Sequence, residues 1–334
     1  MKKTIYYLLT ALAFFLVGWF LKGYLDQLND PNSVITPIIN FKPLEKYSIK
    51  SLTDTDVEPG TIKRGEVISE LDNHTSYNFE FEFSPDLSGK RLKTTTGQIN
   101  LPDKKGRHPI VLMIRGYVDQ EIYFTGLGTR KAASVFADNG YITVAPDFLG
   151  YGESSGQSTD ILESRFQTYT TVLSLLESLN QIKEWNKKDI LIWAHSNGGQ
   201  IAVTLLEMTG EDYPTTLWAP VTKPFPYSIL YYTDELEDEG KYLRRELAKF
   251  ENKYSASEFS LTNYLDQIKA PIQIHQGTGD EAVPFKWNSE FSDTLDDKDI
   301  DITYFQYPGA NHNLVPSWDT VVQRDLNFLN RHLP

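Results

Sequence analysis

From residue 110 to residue 307, short and almost wholly apolar runs alternate with longer amphipathic stretches. The runs are residues 110–114, 141–145, 190–193, 216–219, 272–275 and 302–307, and segments such as 131–139, 166–182 and 200–208 lie between them. A strand without alternating polar residues must be buried on both faces. That environment is a parallel sheet with helices packed on each side. The predicted class is therefore α/β, with a mostly parallel sheet. Upstream, Tyr77, Phe79, Phe81 and Phe83 alternate with Asn78, Glu80, Glu82 and Ser84, which predicts a half-buried strand. Residues 94–101 read as a second strand after a Ser88-Gly89 turn, so the sheet opens with antiparallel N-terminal strands. One connection, at about residues 221–269, is too long for a simple crossover. It carries Pro224-Phe225-Pro226-Tyr227, an acidic run at 234–239 and a helix-like stretch at 242–250, and reads as a helical cap insertion over the carboxyl edge of the sheet.

Composition narrows the chemistry. With 45 acidic and 32 basic residues the formal net charge is −13, a poor match for nucleic-acid phosphates. There is no cysteine, hence no disulfide, thiolate metal site or cysteine nucleophile. Among His74, His108, His195, His275, His312 and His332 no pair has the helical spacing of a zinc site, and no P-loop or dinucleotide fingerprint occurs. No metal or cofactor is expected.

The strict G-x-S-x-G match, Gly152 to Gly156 around Ser154, is a decoy. A nucleophile elbow needs a buried strand ending at the serine and a helix starting right after it. Here the strand has already ended at Ala145, and a polar loop follows. The imperfect match has the right context: the run 190–193, then Ala194-His195-Ser196-Asn197-Gly198-Gly199, then the helical segment 200–208. Small residues two places either side of the serine, Ala194 and Gly198, allow strand and helix to pass closely. Ser196 is the predicted nucleophile. Asp280 follows the strand at 272–275 and His312 follows the strand at 302–307, giving the order serine, acid, histidine. The amide of Asn197 is the expected first oxyanion donor. The amide of Tyr117, after the first parallel strand and next to Gly116, is the expected second, with Val118 as the alternative. Arg115 is expected to form a structural ion pair, and His195 and His275 to be packed. In the cap, Phe225, Tyr227 and Tyr231 are candidate substrate-binding residues, or pack the cap on the sheet. Glu235 and its acidic neighbours either attract a cationic substrate or form a solvated face.

These motifs, with Ala145 to Ser154, Asp280-x-x-Val-Pro and Tyr307-Pro-Gly-x-x-His312, resemble the α/β-hydrolase superfamily, and within it the prolyl oligopeptidase and dienelactone hydrolase-like branch. The resemblance covers residues 77–334 and implies an α/β-hydrolase fold and a cofactor-free serine esterase or peptidase. Ala194 and Arg115 depart from the usual pattern without removing a catalytic group. The expectation is a hydrolase of small acyl esters. The alternatives are a prolyl oligopeptidase-like peptidase acting on short peptides and a non-catalytic hydrolase-fold binding protein.

The amino terminus has a different character. Lys2 and Lys3 precede an apolar stretch at residues 5–21, at the short end of what spans a bilayer. The expected organisation is a cytoplasmic N-terminus (1–4), a transmembrane anchor (5–21), a tether (22–45) and an extracytoplasmic hydrolase domain (46–334). Secretion after signal cleavage at Ala11-Leu12-Ala13 is the alternative.

Overall fold

The computed structural model describes Lys22 and residues 42–333, with the chain from Pro43 onward forming one compact unit. The predicted anchor lies outside the described residues. Among the described residues no helix is long and apolar enough to cross a membrane.

The unit is built on nine strands: β1 (Thr61–Glu70), β2 (His74–Phe83), β3 (Lys93–Pro102), β4 (His108–Ile114), β5 (Ile142–Pro146), β6 (Trp185–His195), β7 (Thr215–Trp218), β8 (Ile272–Gly277) and β9 (Ile302–Tyr307). They form one sheet in the order β1-β2-β3-β5-β4-β6-β7-β8-β9. β1, β2, β3 and β5 pair antiparallel, and every pair from β5 through β4 to β9 is parallel. The alternation read at Phe79, Phe81 and Phe83 is the inward face of β2. β1 was not legible: it is an edge strand with most residues exposed, and Lys63, Arg64 and Glu66 give it no apolar face. Such charges suit an edge, where they deter pairing with another chain.

The uninterrupted apolar strands do separate two cores. Ile110, Leu112 and Ile114 of β4 belong to the larger cluster, with α3 (Ile161–Ser178) and α4 (Asn197–Thr209). Val111 and Met113 face the opposite side and pack with α2 (Arg130–Asp138) and α8 (Trp318–Arg331), the helix that follows α7 (Phe285–Asp296) and β9. α3 begins earlier than its periodicity suggests. Asp160 caps it, accepting from the Leu162 and Glu163 amides at 2.9 and 3.1 Å.

The insertion after β7 is helical as expected: α5 (Tyr227–Leu230), α6 (Lys241–Glu251) and four 3-10 turns. Leu243, Leu247 and Phe250 of α6 bury their side chains in the larger core. Before β1, α1 (Ile49–Thr53) and the turn Glu45–Tyr47 also pack inward. Leu44, which the sequence assigns to the tether, is buried, and its amide donates to the Tyr254 hydroxyl at 3.0 Å.

Candidate active site

Ser196 stands between the end of β6 and the first residue of α4, with φ 56° and ψ −123°. A non-glycine residue there costs on the order of 1–3 kcal/mol and persists only where its surroundings enforce it. They do. The Ser196 amide donates to Trp218 O at 2.9 Å, and its carbonyl accepts from Gly199 and Val221 at 2.9 and 3.0 Å. A β-carbon on Gly198 would stand 2.1 Å from the Ile114 carbonyl oxygen, so the strand–helix approach permits glycine alone at that position. Ala194, where glycine is more usual, is fully buried in the core.

Asp280 and His312 come together across two loops. Thr278 N donates to Tyr307 O and Gly279 N to Ala310 O, each at 3.0 Å, joining the loop after β8 to the loop after β9. The His312 Nδ1 then lies 3.1 and 3.0 Å from the two Asp280 carboxylate oxygens. Asp280 Oδ1 also accepts from the amides of Ala282 and Val283, both at 2.9 Å, and Oδ2 from Gln276 Nε2 at 3.0 Å. Burial alone would raise the pKa of this carboxyl. The hydrogen bonds from His312, Val283 and Gln276 and the charge of His312 outweigh it, and the group sits below its ordinary range. Gln276 is itself oriented by Asn288, which accepts from Thr222 at 2.9 Å. Gln276 and Asn288 were missed from sequence. The available signal was a glutamine at the end of an apolar strand.

Ser196 belongs to the same corner, since the preceding residue, His195, touches His312. The two imidazole centroids are 4.6 Å apart, and His195 Nε2 donates to the His312 carbonyl oxygen at 3.0 Å. No hydrogen bond joins the Ser196 hydroxyl to His312 in this geometry, as is common before substrate tightens such a site.

The two segments expected to supply the oxyanion donors meet at the serine. A β-carbon on Gly116 would lie 2.8 Å from Ser196 Cβ, so the loop after β4 passes directly against the serine. Asn197 is the first residue of α4, where amides have no intrahelical acceptor, and no protein acceptor takes the Tyr117 amide. The loop is held from behind by Arg115, and not by the ion pair expected. Its guanidinium donates to Gly116 O at 2.9 Å and to Asp147 O at 2.6 Å, and stacks 3.9 Å from the Tyr151 ring and 4.5 Å from the Tyr123 ring. Tyr151 adds a bond from its hydroxyl to Val118 O at 3.0 Å. Ser154, the decoy, is structural: its Oγ accepts from the Thr96 amide at 2.9 Å and secures the loop after β5 to β3.

A cavity of about 790 Å³ opens from Gly116, Tyr117 and Asn197 between α3, the loop after β5 and Tyr242 of α6. Phe225, Tyr227 and Tyr231 are not part of its lining. Phe225 is buried against Phe166 and Phe250, with centroids at 5.5 and 5.6 Å. Tyr227 and Tyr231 are half exposed and lean on Trp287, at 5.8 and 4.7 Å. The residues that do line it, among them Phe148, Ile161, Arg165 and Ile201, lie on the strand-to-helix side. Among the described residues no cluster of His, Cys, Asp or Glu could hold a metal ion.

Residues 128–334, more than half of the chain, match the prolyl oligopeptidase family of peptidases. The chain belongs to that family. This prolyl oligopeptidase family member is a serine hydrolase with an α/β-hydrolase fold. It is similar to acetyl xylan esterase 1 from Thermoanaerobacterium sp. JW/SL YS485, with TM-score 0.62 and 13% identity over 87% of this chain and 94% of that one. Dipeptidyl peptidase 4 of Porphyromonas gingivalis aligns with TM-score 0.52 and 16% identity, over 83% of this chain and 36% of that one. A puromycin-hydrolyzing peptidase of Mycobacterium tuberculosis gives TM-score 0.57 and 16% identity, over 84% and 40%. The chain thus spans well under half the length of these two peptidases. Curated protein sequences returned no significant match.

Proposed function

We propose that the protein hydrolyses carboxylic esters of small acyl groups, with Ser196 as nucleophile, His312 as general base and acid, and Asp280 as the group that orients the imidazole. The observation that carries this is Ser196 held at positive φ at the start of α4 beside an Asp280–His312 pair. Ser196 Oγ attacks the acyl carbonyl carbon while His312 Nε2 takes its proton. The resulting oxyanion is received by the amides of Tyr117 and Asn197. Collapse expels the alcohol, which takes the proton from His312 and leaves the acyl group on Ser196. Water, deprotonated by the same imidazole, then releases the acid.

The make-up of the cavity supports esters over short peptides with a free amino terminus. Capturing an ammonium group calls for a carboxylate, and among the described residues neither aspartate nor glutamate lines the cavity. The test is turnover of p-nitrophenyl butyrate against aminoacyl p-nitroanilides, with Ser196→Ala as control. Ester cleavage that Ser196→Ala abolishes supports the reading. Preferential cleavage of the anilides would replace it with a peptidase, and turnover of neither substrate would favour a binding role.

The proposal also includes a membrane anchor at residues 5–21, on the sequence evidence of Lys2, Lys3 and the apolar stretch. Alkaline extraction should leave the full-length protein in the membrane fraction. A shortened soluble product would mean signal cleavage instead.

A further inference from the structure

Arg165 projects from α3 into the cavity beside the serine, and among the described residues no carboxylate lies within ion-pairing distance of it. Its Nη2 donates to Gln200 Oε1, the guanidinium also engages the Tyr169 side chain, and its Nε is buried without an acceptor. The side chain is half-buried, and burial lowers its pKa, with Tyr169 as a partial offset, so the cation is partly desolvated without a counter-ion. Such a group is costly unless something pairs with it. Gln200, which fixes it, is three residues beyond Asn197 on α4, a rise of roughly 5 Å along the helix. Arg165 and Asn197 line the same cavity. Arg115 also lines the cavity, but its guanidinium is taken up by the Gly116 and Asp147 carbonyl oxygens; the remaining lining, including Phe148, Ile161, Ile201 and Tyr242, is apolar or neutral.

The geometry points to Arg165 as the recognition group for a substrate carboxylate carried on the acyl chain a few bonds from the scissile carbonyl, as in the half-esters of short dicarboxylic acids. This rests on the ester reading above and names the substrate class within it. The planar fork of arginine suits a carboxylate, and Gln200 removes part of the rotamer freedom that binding would otherwise have to freeze. The acidic stretch at 234–239 disfavours anions at long range, but salt screens that field within about 10 Å, whereas a contact pair in the cavity is screened less.

Two measurements on the full-length chain separate this inference from the ester reading. The first compares kcat/KM for p-nitrophenyl glutarate half-ester and p-nitrophenyl butyrate, which differ by one terminal carboxylate. The parent should prefer the half-ester, and in Arg165→Met the ratio of the two should fall about 10- to 100-fold. Arg165→Lys, which keeps the charge and loses the fork, should retain an intermediate ratio. A purely structural role for Arg165 would lower both substrates in parallel, and an unchanged ratio overturns the inference. The second measures binding of monomethyl glutarate by calorimetry to Ser196→Ala, with and without Arg165→Met. Binding weakened at least about tenfold by the second substitution supports the site independently of turnover. Equal or absent binding overturns it. If monomethyl glutarate binds through Arg165 while neither ester is hydrolysed by the parent, the ester reading fails and the anion site stands.

Discussion

His195 lies against His312 with its Nε2 3.0 Å from the His312 carbonyl oxygen, so one imidazole serves as the seat of the other. Its acceptor is a carbonyl, so Nε2 must carry a proton. Burial, and then the charge of His312, push its pKa down to about 4, which keeps the ring neutral above that pH. The unfolded chain takes up this proton near pH 6.5 and the folded chain only near pH 4. Stability is therefore full at neutral pH and falls as pH drops through that window. The loss attributable to His195 is at most about 3 kcal/mol. Denaturant titrations from pH 7 to pH 4 should show a smaller acid-induced loss for His195→Gln than for the parent. An identical pH slope in both proteins would remove His195 from this role.

Asp280→Asn should fold and still bind substrate. The amide can accept from Ala282 and Val283 but cannot hold the imidazolium that forms at His312. A fall in kcat of about a thousand- to ten-thousand-fold with little change in KM is expected from steady-state ester kinetics. A fall of less than tenfold would mean that another group orients His312.

Gly116→Ala probes the oxyanion loop. The added carbon would meet Ser196 Cβ at 2.8 Å and His195 O at 3.2 Å, which pushes the Tyr117 amide away from its post. Loss of one such donor predicts roughly a 100-fold drop in kcat with the fold intact by circular dichroism. Unaltered kcat would assign the second donor to another amide.

Ser154→Ala should separate the two serine motifs. The change removes the acceptor of the Thr96 amide and costs about 1 kcal/mol of stability, read by thermal or urea unfolding. Activity should persist. Abolished activity in a folded Ser154→Ala protein would contradict the structural role given to this serine.

The sheet, its two covered faces and the elbow were legible because each depends on a local pattern. Runs at β4 and β6 could only be doubly buried strands, and Ala194 and Gly198 mark a close strand–helix crossing. The Asp280–His312 pair was legible from chain order and loop position. The cavity was not. Arg165 and Tyr242 come from separate helices, and nothing in their local sequence distinguishes them from ordinary surface-helix residues. For the cap aromatics the sequence left two readings open, pocket lining or packing of the cap. Phe225, Tyr227 and Tyr231 were candidates for the substrate pocket, but Phe225 completes an aromatic core with Phe166 and Phe250, and the two tyrosines lean on Trp287. Arg115 was read as half of an ion pair because charge suggests charge, whereas carbonyl oxygens and the faces of Tyr123 and Tyr151 surround it.

The most direct test of Ser196 as the nucleophile is covalent labelling of the full-length protein with a fluorophosphonate, followed by peptide mapping. The label should reside on Ser196, be lost in Ser196→Ala and be retained in Ser154→Ala. No label on the parent protein, or a label mapped to Ser154 or another residue, would contradict the assignment of Ser196 as the nucleophile.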